Sequence, residues 1–257
     1  MVDVLYTELP PAGARVHDEV VIRAGGTAVN AAIAATEAGA DATVIGRVGL
    51  DPAAELVSAA LAERNIGARL ARDPGLPTGT AVSLASSVVA NRGANARLSP
   101  GDIPDPLEGD ALLVSGFALL QSGSAEASRA SLQRFRGRWS AVDLASPKLA
   151  DLGPAADANV ILATADEARA VTGAEPEKAA RILASKFGLA VVKLGEGGAI
   201  AVLGDQVERA AAAQVERGSA FGAGDAFAGA LLVALARDEQ LGRVLQLACD
   251  AGARAAA

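Results

Sequence analysis

Short apolar runs and longer segments of helical spacing alternate along most of the chain. Short runs bounded by turn residues are typical of strands buried in a parallel sheet, and they cover residues 111–115, 141–144, 160–163 and 190–194. Apolar positions at helical spacing predict helices over residues 28–38, 52–64, 125–135, 165–172, 176–187, 223–237 and 241–257. Residues 42–48 add a strand, and residues 199–203 are predicted to form a hairpin with the strand that ends at residue 194. This order predicts a mainly parallel sheet with helices on both faces.

Two segments interrupt this order. Residues 17–23 and 80–92 alternate between apolar and polar positions outside the strand–helix pattern. Alternation of this kind is typical of strands that have one exposed face. The sequence therefore predicts extra strands, which would form a small sheet beside the main one.

The composition narrows the fold class and the possible partners. The chain has 257 residues, a length that allows one large domain or two small ones. It is 51% hydrophobic but only 3% aromatic, so the core must be aliphatic and rich in alanine, which suits an α/β protein better than a β-sandwich. With 23 basic and 30 acidic side chains the net charge is −7, which argues against nucleic acid as a partner.

The single cysteine and the single histidine exclude several kinds of site. Cys249 has no second cysteine for an internal disulfide or a CxxC zinc site, and His17 alone cannot supply an HExxH metal site. The sequence has no charge-free run of 18 or more apolar residues, and its first residues lack the pattern of a secretory signal. We therefore expect a cytoplasmic protein with no membrane partner. Residues 2–6 resemble the end of a strand and residues 249–257 stop inside a helical pattern, so we also expect a chain shortened at both ends.

The segment with the most chemical information is rich in glycine and leads into an apolar helix. Gly222, Ala223 and Gly224 have no bulky side chains, so a ligand can approach the backbone, and the N–H groups at the start of the helix would form an anion site. Asp225 follows, and a carboxylate beside an anion site can accept a hydroxyl proton while phosphate charge is stabilised. The alternative is that Asp225 only stabilises the positive end of the helix. Phe227 excludes a GxGxxG loop, and the absence of any Gly-Lys pair excludes a Walker A loop.

A glycine pair precedes the first predicted helix. Gly25 and Gly26 are followed by Asn30, one turn into a run of small apolar residues. Asparagine is a poor helix former, so its side chain requires a partner at this position. That partner is either a ligand hydroxyl or a buried backbone group, and the sequence leaves both open. Two further segments, Thr164-Ala-Asp-Glu167 and Val192-Lys-Leu-Gly-Glu-Gly-Gly198, lie at the ends of predicted strands.

These segments occur in the order found in one kinase family. Together with Asp3, the segments GGTAVNAA, GRVGLDPAAE, RGANARLSP, ADEARAVTG, VVKLGEGGA and FGAGDAFAGA resemble the PfkB (ribokinase-like) carbohydrate kinases over nearly the whole chain. The resemblance implies an α/β fold, a three-layer α/β/α sandwich with a mainly parallel central sheet and a small β-lid. It implies a single domain over residues 1–257, with the lid built from about residues 4–24 and 78–97.

The resemblance also implies a reaction and the residues that perform it. The reaction would be ATP-dependent phosphorylation of a carbohydrate hydroxyl, with ATP and Mg2+ as cofactors and a small sugar as the partner. The implied roles are a general base at Asp225, an anion hole at Gly222, Ala223 and Gly224, substrate binding by Asp3, Gly25, Gly26 and Asn30, and nucleotide binding by Thr164, Glu167, Lys193, Gly195 and Gly197. Glu167 would reach the magnesium ion indirectly, through water.

The chain departs from the family pattern in four places. Residues 219–221 replace the Asp-Thr-Thr that often precedes the glycine-rich loop, Thr164 replaces an asparagine, Thr27 replaces a lysine, and the second lid segment is short. Ser219, Thr164 and the short lid favour one alternative, a catalytically silent protein that binds a sugar or a nucleotide, whereas Asp225 and Glu167 oppose it. A second alternative is a nucleoside kinase of the same family. Arg92 or Arg47 could pair with the acid group of a sugar acid or be a surface residue, and the exposed edges of the β-lid would allow a homodimer.

Overall fold

The computed structural model describes residues 1–6, 11–84, 87–144, 146, 153–155, 157–214 and 221–257. Their strands are β1 (Val2–Tyr6), β2 (Val21–Ala24), β3 (Thr43–Val48), β4 (Gly67–Arg72), β5 (Thr78–Leu84), β6 (Ser87–Gly93), β7 (Leu107–Glu108), β8 (Ala111–Ser115), β9 (Phe135–Arg136), β10 (Trp139–Asp143), β11 (Val160–Thr164), β12 (Leu189–Lys193), β13 (Ala199–Leu203) and β14 (Gln206–Ala210). Their α-helices are α1 (Thr27–Glu37), α2 (Pro52–Glu63), α3 (Gly116–Leu120), α4 (Ala125–Arg134), α5 (Ala165–Thr172), α6 (Pro176–Phe187), α7 (Ala223–Ala236) and α8 (Leu241–Ala256).

The largest sheet has six strands in the order β14-β13-β12-β11-β10-β8. Strands β8, β10, β11 and β12 run parallel to one another, whereas β13 and β14 are added antiparallel at one edge. The predicted hairpin between the strand ending near residue 194 and residues 199–203 is the β12–β13 pair. The prediction of a mainly parallel sheet is therefore confirmed.

Both faces of this sheet are covered, as strand β11 illustrates. Val160 and Leu162 pack into the cluster that contains α7 and α8, whereas Ile161 and Ala163 pack into the cluster formed with α4, α5 and α6. All four side chains are fully buried because successive residues of a strand point to opposite faces. Burial of this kind is worth about 1.5–3 kcal/mol for a side chain the size of valine, leucine or isoleucine. The arrangement confirms the α/β/α layers.

A second sheet has four strands in the order β2-β1-β5-β6. It is built from the segments expected to form a lid, except that residues 7–10, 85 and 86 lie outside the described residues. One row across this sheet joins Ile22, Val4, Val82 and Val89, which are register partners in neighbouring strands. Ile22, Val82 and Val89 in that row are exposed, so this part of the sheet presents an apolar face.

Three predicted strands differ from the observed ones. Strand β2 begins only at Val21, so residues 17–20 do not belong to it. The strand predicted over residues 80–92 is two antiparallel strands, β5 and β6, which begin at Thr78 and end at Gly93. Strand β3 pairs with β4 in a separate parallel pair and does not join the six-stranded sheet. Strand β4 escaped prediction because most of its side chains are exposed and show no apolar period.

Two further expectations concern the first strand, which was expected to be shortened, and a membrane partner, which was expected to be absent. Strand β1 begins at Val2, one residue before Asp3. Within the described ranges, none of the helices combines the length and the apolar character required to cross a membrane.

Candidate active site

Helix α7 begins where the glycine-rich segment predicts. Gly222 is its N-cap residue and has a left-handed backbone with φ of 83°, which glycine adopts without strain. The first backbone hydrogen bond of the helix joins the Ala226 N–H to the Gly222 carbonyl at 2.9 Å. The N–H groups of the preceding residues in the first turn have no carbonyl partner within the helix, and the helix dipole adds positive potential there. The start of α7 is therefore suited to bind an anion.

Asp225 lies in this first turn and is held by Asn30 of helix α1. The Asn30 side-chain amide donates to Asp225 Oδ2 at 2.9 Å. The partner that Asn30 requires is thus a carboxylate of the site, not a backbone group. Helices α1 and α7 approach closely because Gly229 has no side chain, and a Cβ there would overlap the Ala31 carbonyl oxygen.

The pKa of Asp225 is raised above its ordinary value. Burial is the main cause, because it disfavours the charged carboxylate. The hydrogen bond from Asn30, the charge of Lys193 and a hydrogen bond with Thr27 act in the opposite direction. A carboxylate with a raised pKa is a stronger proton acceptor than an exposed aspartate, which suits a general base.

Asp3 is buried in strand β1, next to the predicted glycine pair. The Gly26 N–H donates to Asp3 Oδ2 at 3.3 Å. A Cβ at Gly25 would overlap the Asp3 carboxylate, so only glycine leaves room for the acid at this position. Burial raises the pKa of Asp3, while the Gly26 hydrogen bond and the nearby charges of the amino terminus and Arg23 lower it. Asp3, Gly25 and Gly26 therefore form one unit, and the charge of Asp225 is close enough to raise the Asp3 pKa further.

Lys193, at the end of strand β12, forms an ion pair with Asp143, at the end of strand β10. Lys193 Nζ lies 2.7 Å from Asp143 Oδ1 and 2.9 Å from Oδ2. Burial, together with the charges of Asp225 and Glu167, raises the pKa of Asp143 to about 6 against the opposing effect of Lys193. Sequence reasoning missed Asp143. The available signal was a polar residue at the carboxyl end of a parallel strand, where ligands of α/β folds commonly bind.

Thr164 and Glu167 form a capping box at the start of helix α5. The Thr164 N–H donates to Glu167 Oε2 at 2.8 Å, and the Glu167 N–H donates to Thr164 Oγ1 at 3.3 Å. This reciprocal pairing stabilises a helix N-terminus and explains threonine at position 164 without any ligand. It also fixes the buried Glu167 carboxylate beside Lys193 and Asp143, because these side chains line one cavity.

That cavity has a volume of about 180 Å3. It is lined by most of the residues that are predicted to bind the nucleotide or to take part in catalysis. Its lining residues are Thr27, Ser115, Phe117, Asp143, Leu144, Thr164, Glu167, Lys193, Gly222, Gly224 and Asp225. Gly195 and Gly197 do not line it; they lie in the turn between β12 and β13. Residues 219 and 220, which depart from the family pattern, lie outside the described residues.

A larger cavity of about 730 Å3 meets the first one at Gly222. Asn30 and Arg23 line it on the side of Asp225 and Asp3. Arg23 is the register partner of Asp3 in the β1–β2 pair. Its guanidinium would lie 3.9 Å from a Cβ at Gly222. Sequence reasoning did not single out Arg23, because only the strand pairing brings it to this position.

The two arginines considered for an acid group have protein partners instead. Arg47 forms ion pairs with Asp73 and Asp102, both at 3.0 Å, and these carboxylates occupy its guanidinium. Arg92 donates to Gln121 Oε1 at 2.8 Å and to Ser124 Oγ. The idea that Arg47 recognises an acidic substrate is therefore not supported, whereas the charge of the exposed Arg23 does act on Asp3.

No metal cluster of protein ligands is formed by the described residues, since no three His, Cys, Asp or Glu side chains are grouped to hold an ion. Magnesium prefers oxygen ligands and keeps several waters, so it is commonly held by one or two carboxylates and substrate phosphates. The Glu167 carboxylate, at the edge of the cavity that contains Asp225, fits that mode of binding.

Three solved structures share this fold at low sequence identity. Aminoimidazole riboside kinase from Salmonella enterica, complexed with aminoimidazole riboside and an ATP analog, has a TM-score of 0.84 at 22% identity, over 99% of this chain and 90% of its own. Fructokinase from Vibrio cholerae O395, bound to fructose, ADP and calcium, has a TM-score of 0.83 at 24% identity, over 99% and 89%. Adenosine kinase from Sinorhizobium meliloti has a TM-score of 0.81 at 23% identity, over 91% and 78%.

The sequence comparisons differ in what they find. None of the proteins of curated function matches the chain by sequence. The family model of the pfkB family carbohydrate kinases, in contrast, matches residues 3–257, which is nearly the full chain. That match agrees with the observed layers and with the motifs around helix α7. The chain therefore belongs to the pfkB family of carbohydrate kinases, which are phosphotransferases.

Proposed function

We propose that this protein transfers the terminal phosphoryl group of ATP to a hydroxyl group of a sugar. The observation that carries the proposal is the position of Asp225, a half-buried carboxylate in the first turn of α7, held by Asn30 at 2.9 Å. A base and an anion site on the same helical turn are what phosphoryl transfer to an alcohol requires. An aspartate that only stabilised the helix end would need neither burial nor the bond to Asn30.

In this proposal Asp225 accepts the proton of the sugar hydroxyl as that hydroxyl attacks. The backbone N–H groups at Gly222, Ala223 and Gly224 stabilise the charge on the transferred group, because preorganised donors at a helix start need no rearrangement during the reaction. Asn30 keeps the Asp225 carboxylate oriented and favours its charged form. Closure of the small sheet over the site, as a lid, would exclude water that competes with the sugar.

The sugar is proposed to bind on the side of Asp3, Gly25, Gly26 and Asn30. Asp3 is a buried carboxylate with a raised pKa, fixed by the Gly26 N–H. A buried carboxylate is a strong acceptor for sugar hydroxyls. The larger cavity adjoins this side at Asn30 and Arg23.

The nucleotide is proposed to bind on the side of Lys193, Thr164 and Glu167, with Gly195 and Gly197 bordering it beyond β12. The aminoimidazole riboside kinase and fructokinase structures hold an ATP analog and ADP, which supports ATP as the phosphoryl donor. Magnesium, held by the phosphates and through water by Glu167, would neutralise phosphate charge. We also propose a cytoplasmic location, because a chain with the single cysteine Cys249 cannot form the internal disulfides that are common in secreted proteins.

A panel assay of ADP release tests the proposal. Pentoses, hexoses, sugar acids and nucleosides are each offered with MgATP, and Asp225→Asn serves as the inactive control. Turnover with a sugar that Asp225→Asn abolishes would support the proposal. Turnover confined to nucleosides would instead favour the nucleoside kinase alternative, for which the adenosine kinase fold likeness is the supporting observation.

The second alternative is a binding protein without turnover. Ser219, Thr164 and the short lid segment favour it, whereas Asp225, with its bond to Asn30, and Glu167 oppose it. Thermal stabilisation by a sugar or by ATP, without ADP release from any member of the panel, would establish this alternative and overturn the kinase proposal.

A further inference from the structure

The ion pair between Lys193 and Asp143 lies in an unusual electrostatic setting. The two side chains are only 14% and 8% exposed, and both carboxylate oxygens contact Nζ. The pair joins the ends of strands β10 and β12, which flank β11 in the central sheet. Each partner is thereby fixed by the parallel sheet and not by a loop.

The ammonium group of Lys193 is directed at the start of helix α7. A Cβ at Gly224 would lie 3.4 Å from Nζ, so the lysine reaches the first helical turn beside Asp225. The cavity of about 180 Å3 that Lys193 lines is also lined by Thr27, Glu167 and Gly222. Lys193 therefore adds a full positive charge where the helix already presents its positive end.

A cation at a helix N-terminus is unfavourable without an anion, because the helix dipole repels it. Lysine is also a flexible side chain that can reach solvent when nothing holds it. Asp143 supplies the counter-charge, and its two hydrogen bonds to Nζ restrict the lysine to this position. The arrangement concentrates positive potential on one point of the cavity, where an incoming phosphate would meet both Nζ and the helical N–H groups.

We propose that Asp143 is a positioning residue that holds Lys193 over the first turn of α7, where Lys193 binds the terminal phosphoryl group of ATP. The inference rests on the proposed function and adds to it the group that recognises the transferred phosphate. An ion pair with a purely structural role would also be buried. Its removal, however, would not change the affinity for a nucleotide with a third phosphate relative to the affinity for one without it.

Calorimetric binding of two nucleotides tests the inference without any sugar. The probes are the non-hydrolysable β,γ-imido analogue of ATP and ADP, each with Mg2+. Lys193→Met is expected to weaken binding of the ATP analogue about tenfold or more, and binding of ADP much less, because only the analogue carries the terminal phosphate. Asp143→Asn is expected to reproduce much of this selective loss. In the Lys193→Met background, Asp143→Asn should have no further effect on the ratio of the two affinities.

The matched control is Asp73→Asn, which removes another buried carboxylate paired with a cation, Arg47, away from α7. It should lower thermal stability without changing the ratio of affinities. If Asp143→Asn leaves that ratio unchanged, or weakens both nucleotides equally, or adds to the effect of Lys193→Met, the inference is wrong. If the wild-type protein binds neither nucleotide, the proposed function itself fails. If Asp143→Asn folds poorly, Asp143→Ser is the second variant, because it also removes the counter-charge but leaves room for water beside Nζ, and the same loss in the ratio of affinities is expected.

Discussion

Asn30 and Asp225 are 195 positions apart in the sequence, and their side chains meet at 2.9 Å. The contact is possible because the small residues of α1 and α7 let the two helices approach, with Gly229 against the Ala31 carbonyl. It joins the predicted substrate side of the site to the predicted base. The same bond favours the charged form of Asp225, which burial disfavours. The close packing of the two helices therefore bears directly on the proposed chemistry.

The first prediction concerns the base itself. Asp225→Asn keeps the size of the side chain and its contact with Asn30, so we expect normal folding. Turnover should fall by about 10²-fold or more, since the amide cannot accept the hydroxyl proton. Steady-state ADP release measures the loss, and thermal unfolding of the variant verifies the fold. Activity near that of the wild type would remove Asp225 from the role of general base.

The second prediction concerns the pH dependence that Asn30 controls. The Asn30 hydrogen bond lowers the pKa of Asp225. Without it the pKa rises, so Asp225 becomes protonated at a higher pH, and Asn30→Ala should move the acidic limb of the pH profile of kcat/KM to higher pH. Thr27→Val, which removes the weaker of the two hydrogen-bonding effects, should move it less. If the acidic limb lies at the same pH in the wild type, Asn30→Ala and Thr27→Val, then the pKa of Asp225 does not determine the position of that limb.

The third prediction concerns the space that Gly25 leaves for Asp3. Gly25→Ala places a methyl group on the Asp3 carboxylate, so the acid or the backbone must shift. We expect a loss of about 1–3 kcal/mol in the free energy of unfolding, as for other forced overpacking, together with weaker sugar binding. Gly101→Ala is the matched control, because its Cβ would meet its nearest neighbour, Ser99 Oγ, only at 3.6 Å. Equal stability of the two variants in urea unfolding would contradict the tight fit described for Gly25.

The sequence predicts the central layers well because their residues follow simple periods. The boundaries of α5 and α6 agree with the prediction, since Pro176 and the Thr164 cap mark where these helices begin and glycines follow their ends. The small sheet and the separate β3–β4 pair were harder to predict. Residues 17–20 alternate in polarity yet do not join β2, and β4 forms with mostly exposed side chains. Whether these residues form a strand depends on pairing with a neighbouring strand, and no local sequence pattern shows that pairing.

In the site, too, local sequence patterns predict some residues, whereas contacts between distant parts of the chain are not visible in the sequence. The start of α7 at Ala223 follows from small residues before an apolar helix, so sequence alone located it. The pairing of Asp143 with Lys193 could not be found this way, because the two residues lie 50 positions apart and are brought together by two strands that flank β11. The capping box of Thr164 and Glu167 is a local pattern. The family resemblance assigns those two residues to the nucleotide, a role that stays a prediction.

The fourth prediction concerns stability and the buried Asp143. Its pKa in the folded protein is raised to about 6, above the ordinary value of 3.8. Protonation therefore favours the folded state, so this contribution is fully present below about pH 4 and is lost as the pH rises through about 6. The difference corresponds to about 3 kcal/mol. Urea unfolding between pH 4 and 7.5 should show a steeper loss of stability with rising pH in the wild type than in Asp143→Asn, in which Asp3 and Asp225, whose pKa values are also raised, still titrate.

Asp73 provides the control of opposite sign for this measurement. Its pKa is lowered by hydrogen bonds from Gly75 and Leu76 and by the nearby arginines. Its contribution is therefore present above about pH 4 and lost as the pH falls below that value, so this control is measured in a series that extends below pH 4. Asp73→Asn should remove a dependence opposite to that of Asp143. The same pH dependence in both variants would show that neither carboxylate causes it.

The last prediction concerns the homodimer that we propose through the small sheet. The row of Ile22, Val4, Val82 and Val89 crosses all four strands, and Val89 at its end is 72% exposed. An exposed apolar row on a sheet is a favourable surface for a second copy, because association removes it from water. Val89→Lys would place a charge in that contact, so light scattering should give the mass of a dimer for the wild type and of a monomer for the variant. Leu50→Lys changes a comparably exposed side chain, 68%, outside this sheet, and should leave the mass unchanged. A monomeric wild type, or a Val89→Lys dimer as stable as the wild type, would exclude this row as the interface.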